Sequence, residues 1–298
     1  MTEERRTNKK TQIRGDRTLF CRKGGAPLLQ ENWKDGVLYL TFPGLDACGK
    51  VIHGFSTRIG GVSENEFAQM NLSFSRGDEK ERVMENYRRI AATIGFDAKD
   101  IVCSDQTHTA NVRVVTAQDC GKGYTKPRDY TDVDGLVTNE PGVVLATFYA
   151  DCVPLYFVDP VHGAVGLSHS GWRGTVGDIA GETVRTMNRQ YGTVPADILA
   201  AIGPSICQDC YEVSEDVIVQ FKEAYETDLW EKLFYAKGAG KYQLDLWEAC
   251  RQNMLRAGIL PEHISVTDIC TCCNPDVLFS HRASHGKRGN LAAFLGLR

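Results

Sequence analysis

The sequence predicts an α+β fold in a single domain, on three observations. Short β-type runs and helical patterns are mixed along the chain, the strands meet through hairpins rather than regular βαβ units, and no low-complexity linker divides it. At 298 residues the chain can bury a substantial core. β-type runs occupy 37–42, 101–103, 112–115, 135–138 and 143–148, and after a central hairpin they return at 198–202 and 264–266. Helical patterns cover 80–94, 176–191, 215–224 and 246–257. Gly192 and Gly258 stand just past the ends of two of them, where a left-handed residue commonly closes a helix.

The central hairpin is the most informative element. Val153 to Val158 and Ala164 to Leu167 flank Asp159-Pro160-Val161-His162-Gly163, in which Pro suits a type I turn and Gly a positive φ. With a four-residue loop from Asp159 to His162, Val158 pairs with Gly163, and counting outward sets Cys152 opposite His169. Directly opposed side chains have Cβ atoms roughly 4.5–5.5 Å apart, close enough to share a metal ion or a proton. The pairing depends on register, because a slip of one residue turns one partner to the other face. Apolar residues fill both faces here, so alternation does not settle the register.

Composition bounds the function. Apolar residues make up 42 % and charged residues 24 %, as in soluble globular proteins. The net charge of −4 provides no global basic field for nucleic acid. Residues 1–17 hold six Lys/Arg and three Asp/Glu and read as a solvated, poorly ordered charged tail, leaving 18–298 as the folded domain. No apolar stretch approaches the roughly 20 residues that span a bilayer, and the N-terminus has no apolar signal core. The expectation is a cytoplasmic protein without a membrane partner, whose eleven cysteines are core thiols or ligands rather than disulfides.

His108 follows the run at 101–103 in a strand-end loop, a common place for a functional residue. With Cys152 and His169 it offers one thiolate and two imidazoles, a catalytic zinc pattern with one open position that also suits copper. The same residues can instead be a buried thiol with two satisfied imidazoles. They can also be the nucleophile and base of a cysteine hydrolase acting on peptides or cell-wall fragments, with Cys152 attacking and His169 as base. Asp151 is placed to shuttle a proton or to orient a ligand. Arg173, in Trp172-Arg173-Gly174-Thr175, precedes a helix that Thr175 can cap, an arrangement suited to an anion. Arg58 stands at the tip of a turn before Gly60-Gly61, after His53, and Asn71 lies in a second polar loop.

Two further clusters read as minor. Cys207/Cys210 and Cys270/Cys273 form two CxxC pairs, but 59 residues (211–269) separate them, against roughly 15–20 in a zinc ribbon. His281, Arg282, His285 and Arg288 make a local positive cluster near the C-terminus.

The chain resembles the YfiH-like family, also called laccase-domain or multicopper polyphenol oxidase proteins. The matching elements are His53-Gly54-Phe55-Ser56-Thr57-Arg58 with Gly60-Gly61-Val62-Ser63, Gln106-Thr107-His108, Asp134-Gly135-Leu136-Val137-Thr138, Ala150-Asp151-Cys152-Val153-Pro154, His169-Ser170-Gly171-Trp172-Arg173-Gly174-Thr175, Ile202-Gly203-Pro204-Ser205-Ile206, Tyr211-Glu212-Val213 and Phe279-Ser280-His281-Arg282. They cover about residues 37–298 in family order. The resemblance implies a four-layer α/β/β/α single domain and a zinc ion held by His108, Cys152 and His169. It implies a purine nucleoside phosphorylase acting on adenosine, inosine or methylthioadenosine, with adenosine deaminase activity. On that reading Arg58, Arg173, His53 and Asn71 contact substrate or phosphate, and Asp151 joins the three ligands in catalysis. Thr109, Ser170 and His281 depart from Gly, Ala and Tyr, which bears on substrate preference more than on the metal. Two alternatives stand beside it: a copper phenol oxidase, for which seven His and no HxH pair are few, and a non-enzymatic nucleoside-binding module.

Overall fold

The computed structural model describes residues 19–24 and 28–298, so the charged tail expected at 1–17 lies outside the described residues. The first half of the chain supplies strands β1 (Gln30–Lys34), β2 (Val37–Thr41), β3 (Val51–Ser56), β4 (Ile101–Cys103), β5 (Val112–Val114), β6 (Gly135–Thr138) and β7 (Val144–Tyr149). The second half adds β8 (Val153–Asp159), β9 (Ala164–Ser170), β10 (Leu199–Ile202), β11 (Glu212–Ser214), β12 (Phe234–Gly238), β13 (Lys241–Leu244), β14 (Ile264–Val266) and β15 (Leu291–Leu297). The α-helices are α1 (Pro43–Ala47), α2 (Lys80–Ile94), α3 (Trp172–Val176), α4 (Ile179–Tyr191), α5 (Glu215–Ala224), α6 (Trp230–Leu233) and α7 (Leu246–Arg256).

Six strands in the order β1-β2-β3-β15-β7-β4 form one sheet, six in the order β14-β10-β8-β9-β6-β5 a second, and β11-β13-β12 a small third. Leu38, Leu40, Phe55, Leu145 and Leu295 of the first sheet pack against Leu136, Tyr156, Val158, Val165 and Leu167 of the second. The two-residue period of a strand then assigns the other faces. On β8, Leu155 and Phe157 point away from that core and meet α4, α5 and α7. On β15, Ala292 and Phe294 meet Val83, Tyr87 and Ile90 of α2. Strands covered on both faces need apolar residues throughout, which is why β8 and β9 read as continuous apolar runs. The result is a mixed α/β fold with helices outside two facing sheets. Truncating a fully buried residue such as Phe157 to Ala would cost about 3–5 kcal/mol.

The hairpin register differs from the expected one by two residues. Val158 pairs with Val165, Asp159 with Ala164, and Pro154 with His169. β8 runs through Asp159 because the Asp159 carboxylate accepts N–H bonds from Val161 and His162, closing a loop over 160–163 with Gly163 at φ +64°. A shift of two keeps every side chain on its face, so Cys152, just ahead of β8, and His169 still share one.

The helix expected over 176–191 is two helices. Asp178, at φ +57°, interrupts it and caps α4 by accepting the Gly181 N–H at 3.1 Å. Thr175 therefore lies inside α3 and caps nothing; its hydroxyl donates to Gly171 O at 3.0 Å. Gly192 does close α4 in the left-handed region. Among the described residues no helix is long and apolar enough to cross a membrane.

Candidate metal centre

His108, Cys152 and His169 converge at the ends of the two large sheets. One ring nitrogen from each histidine and the Cys152 sulfur all lie within 4.8 Å of one another. Cys152 Sγ is 3.9 Å from His108 Nε2, and the two imidazole centroids are 5.0 Å apart, nearly perpendicular. β9 carries His169, the step into β8 carries Cys152, and the loop after β4 carries His108. Gln106 anchors that loop to β7: its side chain accepts from Phe148 N at 2.6 Å and donates to Phe148 O at 2.7 Å.

Asp134, fully buried, organises two of the three donors at once. Its Oδ1 faces His169 Nδ1 at 2.8 Å and accepts from His108 N at 3.1 Å. Its Oδ2 accepts from the backbone N–H of Thr107 and Thr109 and from the Thr109 hydroxyl. A carboxylate on Nδ1 fixes the tautomer and turns the Nε2 lone pair toward the centre. The N–H bonds also hold His108 in the left-handed region at φ +68°. Burial pushes the Asp134 carboxyl up, but its bonds to His169 and the loop outweigh that and leave it below the usual range. Gly171 completes the packing: a Cβ there would lie 2.6 Å from His108 Cδ2 and 3.3 Å from Cys152 Sγ.

Burial opposes ionisation of the Cys152 thiol, but the His169 charge and hydrogen bonds to both imidazoles overcome it and bring it to about 6. Burial likewise opposes the His169 charge, and Cys152 with Asp134 raises it to about 9. A thiolate and two imidazoles, with no fourth protein donor in the group among the described residues, fit a zinc or copper ion with one open position.

All three donors line a cavity of about 650 Å³. Phe74, Tyr124 and Phe148 supply apolar wall, and Arg76, Lys80, Lys126, Arg128 and Arg288 supply cations. Arg128 pairs with Asp105 at 2.6 Å. Among the described residues Arg76, Lys80 and Arg288 have no carboxylate partner. Burial and the neighbouring Arg76 bring Arg288 down to about 10, against an upward pull from Asp151 and Cys152.

The other residues singled out from the sequence lie elsewhere. Arg58 does not line the cavity: its guanidinium donates to Ala68 O and Pro275 O and stacks 4.7 Å over Phe279. Arg173 is exposed and folds over its neighbour Trp172. His53 is buried between the sheets, its Nε2 accepting from Phe42 N at 2.9 Å. Asn71 stands behind the cavity wall, where its Oδ1 accepts from Ser73 N and Asn290 N. The Asp151 carboxylate reaches neither imidazole; it accepts from Thr271 Oγ1 and Arg282 N, both at 2.7 Å. Arg76, Lys80, Asp134 and the aromatic residues Phe74, Tyr124 and Phe148 were missed as site members. Only Asp134 stood in a motif, Asp-Gly, which reads on its own as a turn.

The chain is similar to known proteins over most of its length. A family model described as multi-copper polyphenol oxidoreductase laccase matches residues 52–298. Purine nucleoside phosphorylase YlmD of Geobacillus stearothermophilus is 41 % identical over 254 residues, covering 83 % of this chain and 90 % of that protein. Its crystal structure superposes with a TM-score of 0.84 over 92 % of this chain and 100 % of that one. Bacillus licheniformis hypothetical protein YfiH superposes at 0.83 with 36 % identity, covering 89 % of this chain and 97 % of that one. Adenosine deaminase RL5, from an unknown prokaryotic organism, is 37 % identical over 78 % of this chain and 88 % of its own.

Proposed function

Because the chain belongs to the multi-copper polyphenol oxidoreductase laccase family, we propose that it is a zinc-dependent purine nucleoside phosphorylase that also deaminates adenosine. One observation carries the reading. An incomplete Cys/His2 donor set opens into a cavity lined by both aromatic rings and cations without carboxylate partners. The names of the relatives, a phosphorylase and an adenosine deaminase, support it.

His108, Cys152 and His169 would hold the zinc, which when bound supplies Lewis acidity at the substrate atom facing its open position. Asp134 keeps the His169 proton on Nδ1. Phe74, Tyr124 and Phe148 offer faces on which a purine can stack, and Arg76 with Arg288 binds phosphate. In phosphorolysis the bond from C1′ to the purine nitrogen breaks, a phosphate oxygen bonds C1′, and the base leaves with one proton. In deamination water adds at C6 and ammonia leaves. Asp151, tied to Thr271 and Arg282, fixes the backbone from which Cys152 projects. The poised thiolate beside a charged His169 also supports a second reading, a cysteine hydrolase. One experiment separates them: zinc analysis of the purified chain, with adenosine, inosine and methylthioadenosine incubated with and without phosphate. The proposal expects stoichiometric zinc, phosphate-dependent base release and loss of both activities in Cys152→Ala. Base release by Cys152→Ala at the normal rate, or hydrolytic activity in zinc-free protein, would overturn it.

A further inference from the structure

We propose that Cys207, Cys210, Cys270 and Cys273 bind a second, structural zinc ion in a four-thiolate site. Their sulfurs all lie within 4.8 Å of one another, with Cys210 Sγ and Cys273 Sγ at 3.5 Å. Zinc–thiolate bonds of about 2.3 Å imply tetrahedron edges of about 3.8 Å, which matches this spacing. A disulfide needs sulfurs about 2.05 Å apart, well inside it. The Cys207 N–H donates to Cys270 Sγ at 3.3 Å, the bond a ligating sulfur accepts.

The sequence separation of the two pairs conceals their proximity. β10 and β14 run parallel, with Ala200 opposite Ile264, and beyond their ends Ser205 bridges to Cys270 while Thr271 N donates to Ser205 O. The two CxxC turns are therefore delivered side by side. Cys207 and Cys270 are buried, and Ile206, Tyr211 and Trp247 pack around the sulfurs. Lys23, held by Asp209 at 2.9 Å, lies near Cys207 and Cys273. Four protein ligands leave no open position, so this ion is structural where the Cys152 centre is open.

The site staples the loop after β10 to the loop after β14. Those loops clamp Asp151: Ile206 N donates to Asp151 O, and Thr271 Oγ1 and Arg282 N donate to its carboxylate. Arg282 in turn donates to the carbonyls of Cys210 and Glu212. The four thiolates thereby brace the backbone that carries Cys152.

The test uses the full chain purified with reductant and analysed for metals. Wild type is expected to hold two zinc ions per chain. A His108→Ala/Cys152→Ser/His169→Ala variant, which removes the other centre, should keep one, and its four remaining cluster thiols should resist alkylation until a strong chelator is added. Cobalt(II) titrated into that variant after zinc removal should give the intense thiolate charge-transfer and tetrahedral bands of four sulfur ligands. No zinc in that variant, a mass showing a disulfide between the two pairs, or iron in place of zinc would overturn the proposal. If the triple variant does not fold, a wild-type count of one zinc, with all four thiols alkylated freely, does the same. A zinc count of one in the triple variant stands whatever the fate of the nucleoside reading.

Discussion

Asp134→Asn tests the logic of the open centre most directly. The carboxylate takes part in five hydrogen bonds, one to the His169 ring and four to the loop that carries His108. An amide has one acceptor oxygen. If that oxygen faces Thr107 and Thr109, the amide N–H faces His169 Nδ1, the proton moves to Nε2, and His169 is lost as a ligand. If it faces His169, the amide N–H opposes the loop N–H groups and His108 swings away. Loss of such a partner typically weakens metal binding about 10- to 100-fold, or about 1.4–2.7 kcal/mol. A buried N–H left without an acceptor costs about 1–3 kcal/mol in the metal-free protein. For a chain of this size a loss of about 2 kcal/mol lowers the melting temperature by about 3 °C. Competition with a chromophoric chelator reads the affinity, and thermal unfolding of the metal-free protein reads the stability. An Asp134→Asn protein that binds zinc as tightly as wild type would refute the argument.

Other outcomes follow from the same contacts. Arg288→Ala removes a cation that faces the cavity without a carboxylate partner, so the KM for phosphate should rise about 10- to 100-fold. Adenosine deamination, which uses water, should continue; equal loss of both activities would count against a phosphate role. His53, buried between the sheets with Nε2 accepting from Phe42 N, is brought down to about 4 by burial. The unfolded chain, near 6.5, then binds the proton first, so stability is complete above 6.5 and falls by about 2–3 kcal/mol as pH drops toward 4. In His53→Gln, whose amide oxygen can accept the same N–H, that part of the acid loss should vanish from chemical denaturation curves, and an unchanged pH profile would contradict the assignment.

What was legible in the sequence was local. The β8–β9 hairpin could be read from its turn residues, and it placed Cys152 and His169 on one face even though its register was two residues off. The helices at α2, α5 and α7 showed their period. β15 went unread, although it lies at the centre of the first sheet, because Leu291 to Leu297 is apolar on both faces and shows no period. The β12–β13 hairpin was also missed: its strands are short, and most of β12 is exposed. Arg58 was placed at an exposed tip because a glycine turn advertises one, while the carbonyls of Ala68 and Pro275 hold its guanidinium. Arg76 and Lys80 went unread for the converse reason, and Arg288 was read only as part of a C-terminal positive cluster. Arg76, Lys80 and Arg288 become a set only when α2, its preceding loop and the segment before β15 pack together.

The family description speaks of several coppers, and the donors in this chain argue for different chemistry. Coupled oxidation at several coppers needs many imidazoles gathered at linked sites. Of the seven histidines, His53 is spent on Phe42 N between the sheets and His162 on Asp159 in the β8–β9 turn. Only His108 and His169 share a donor group, and the other such group among the described residues is entirely sulfur. Two groups, each of a size for one ion, do not make a chain of coppers along which electrons could pass to oxygen. The unpaired cations around the open centre are instead what an anionic co-substrate requires. Copper-loaded protein should therefore bind one copper at the open centre and consume no oxygen beyond the rate of free copper when given a phenol such as guaiacol. Phenol-dependent oxygen uptake abolished by His108→Ala, with several coppers bound per chain, would show that the description is literal and that this reading of the donors is wrong.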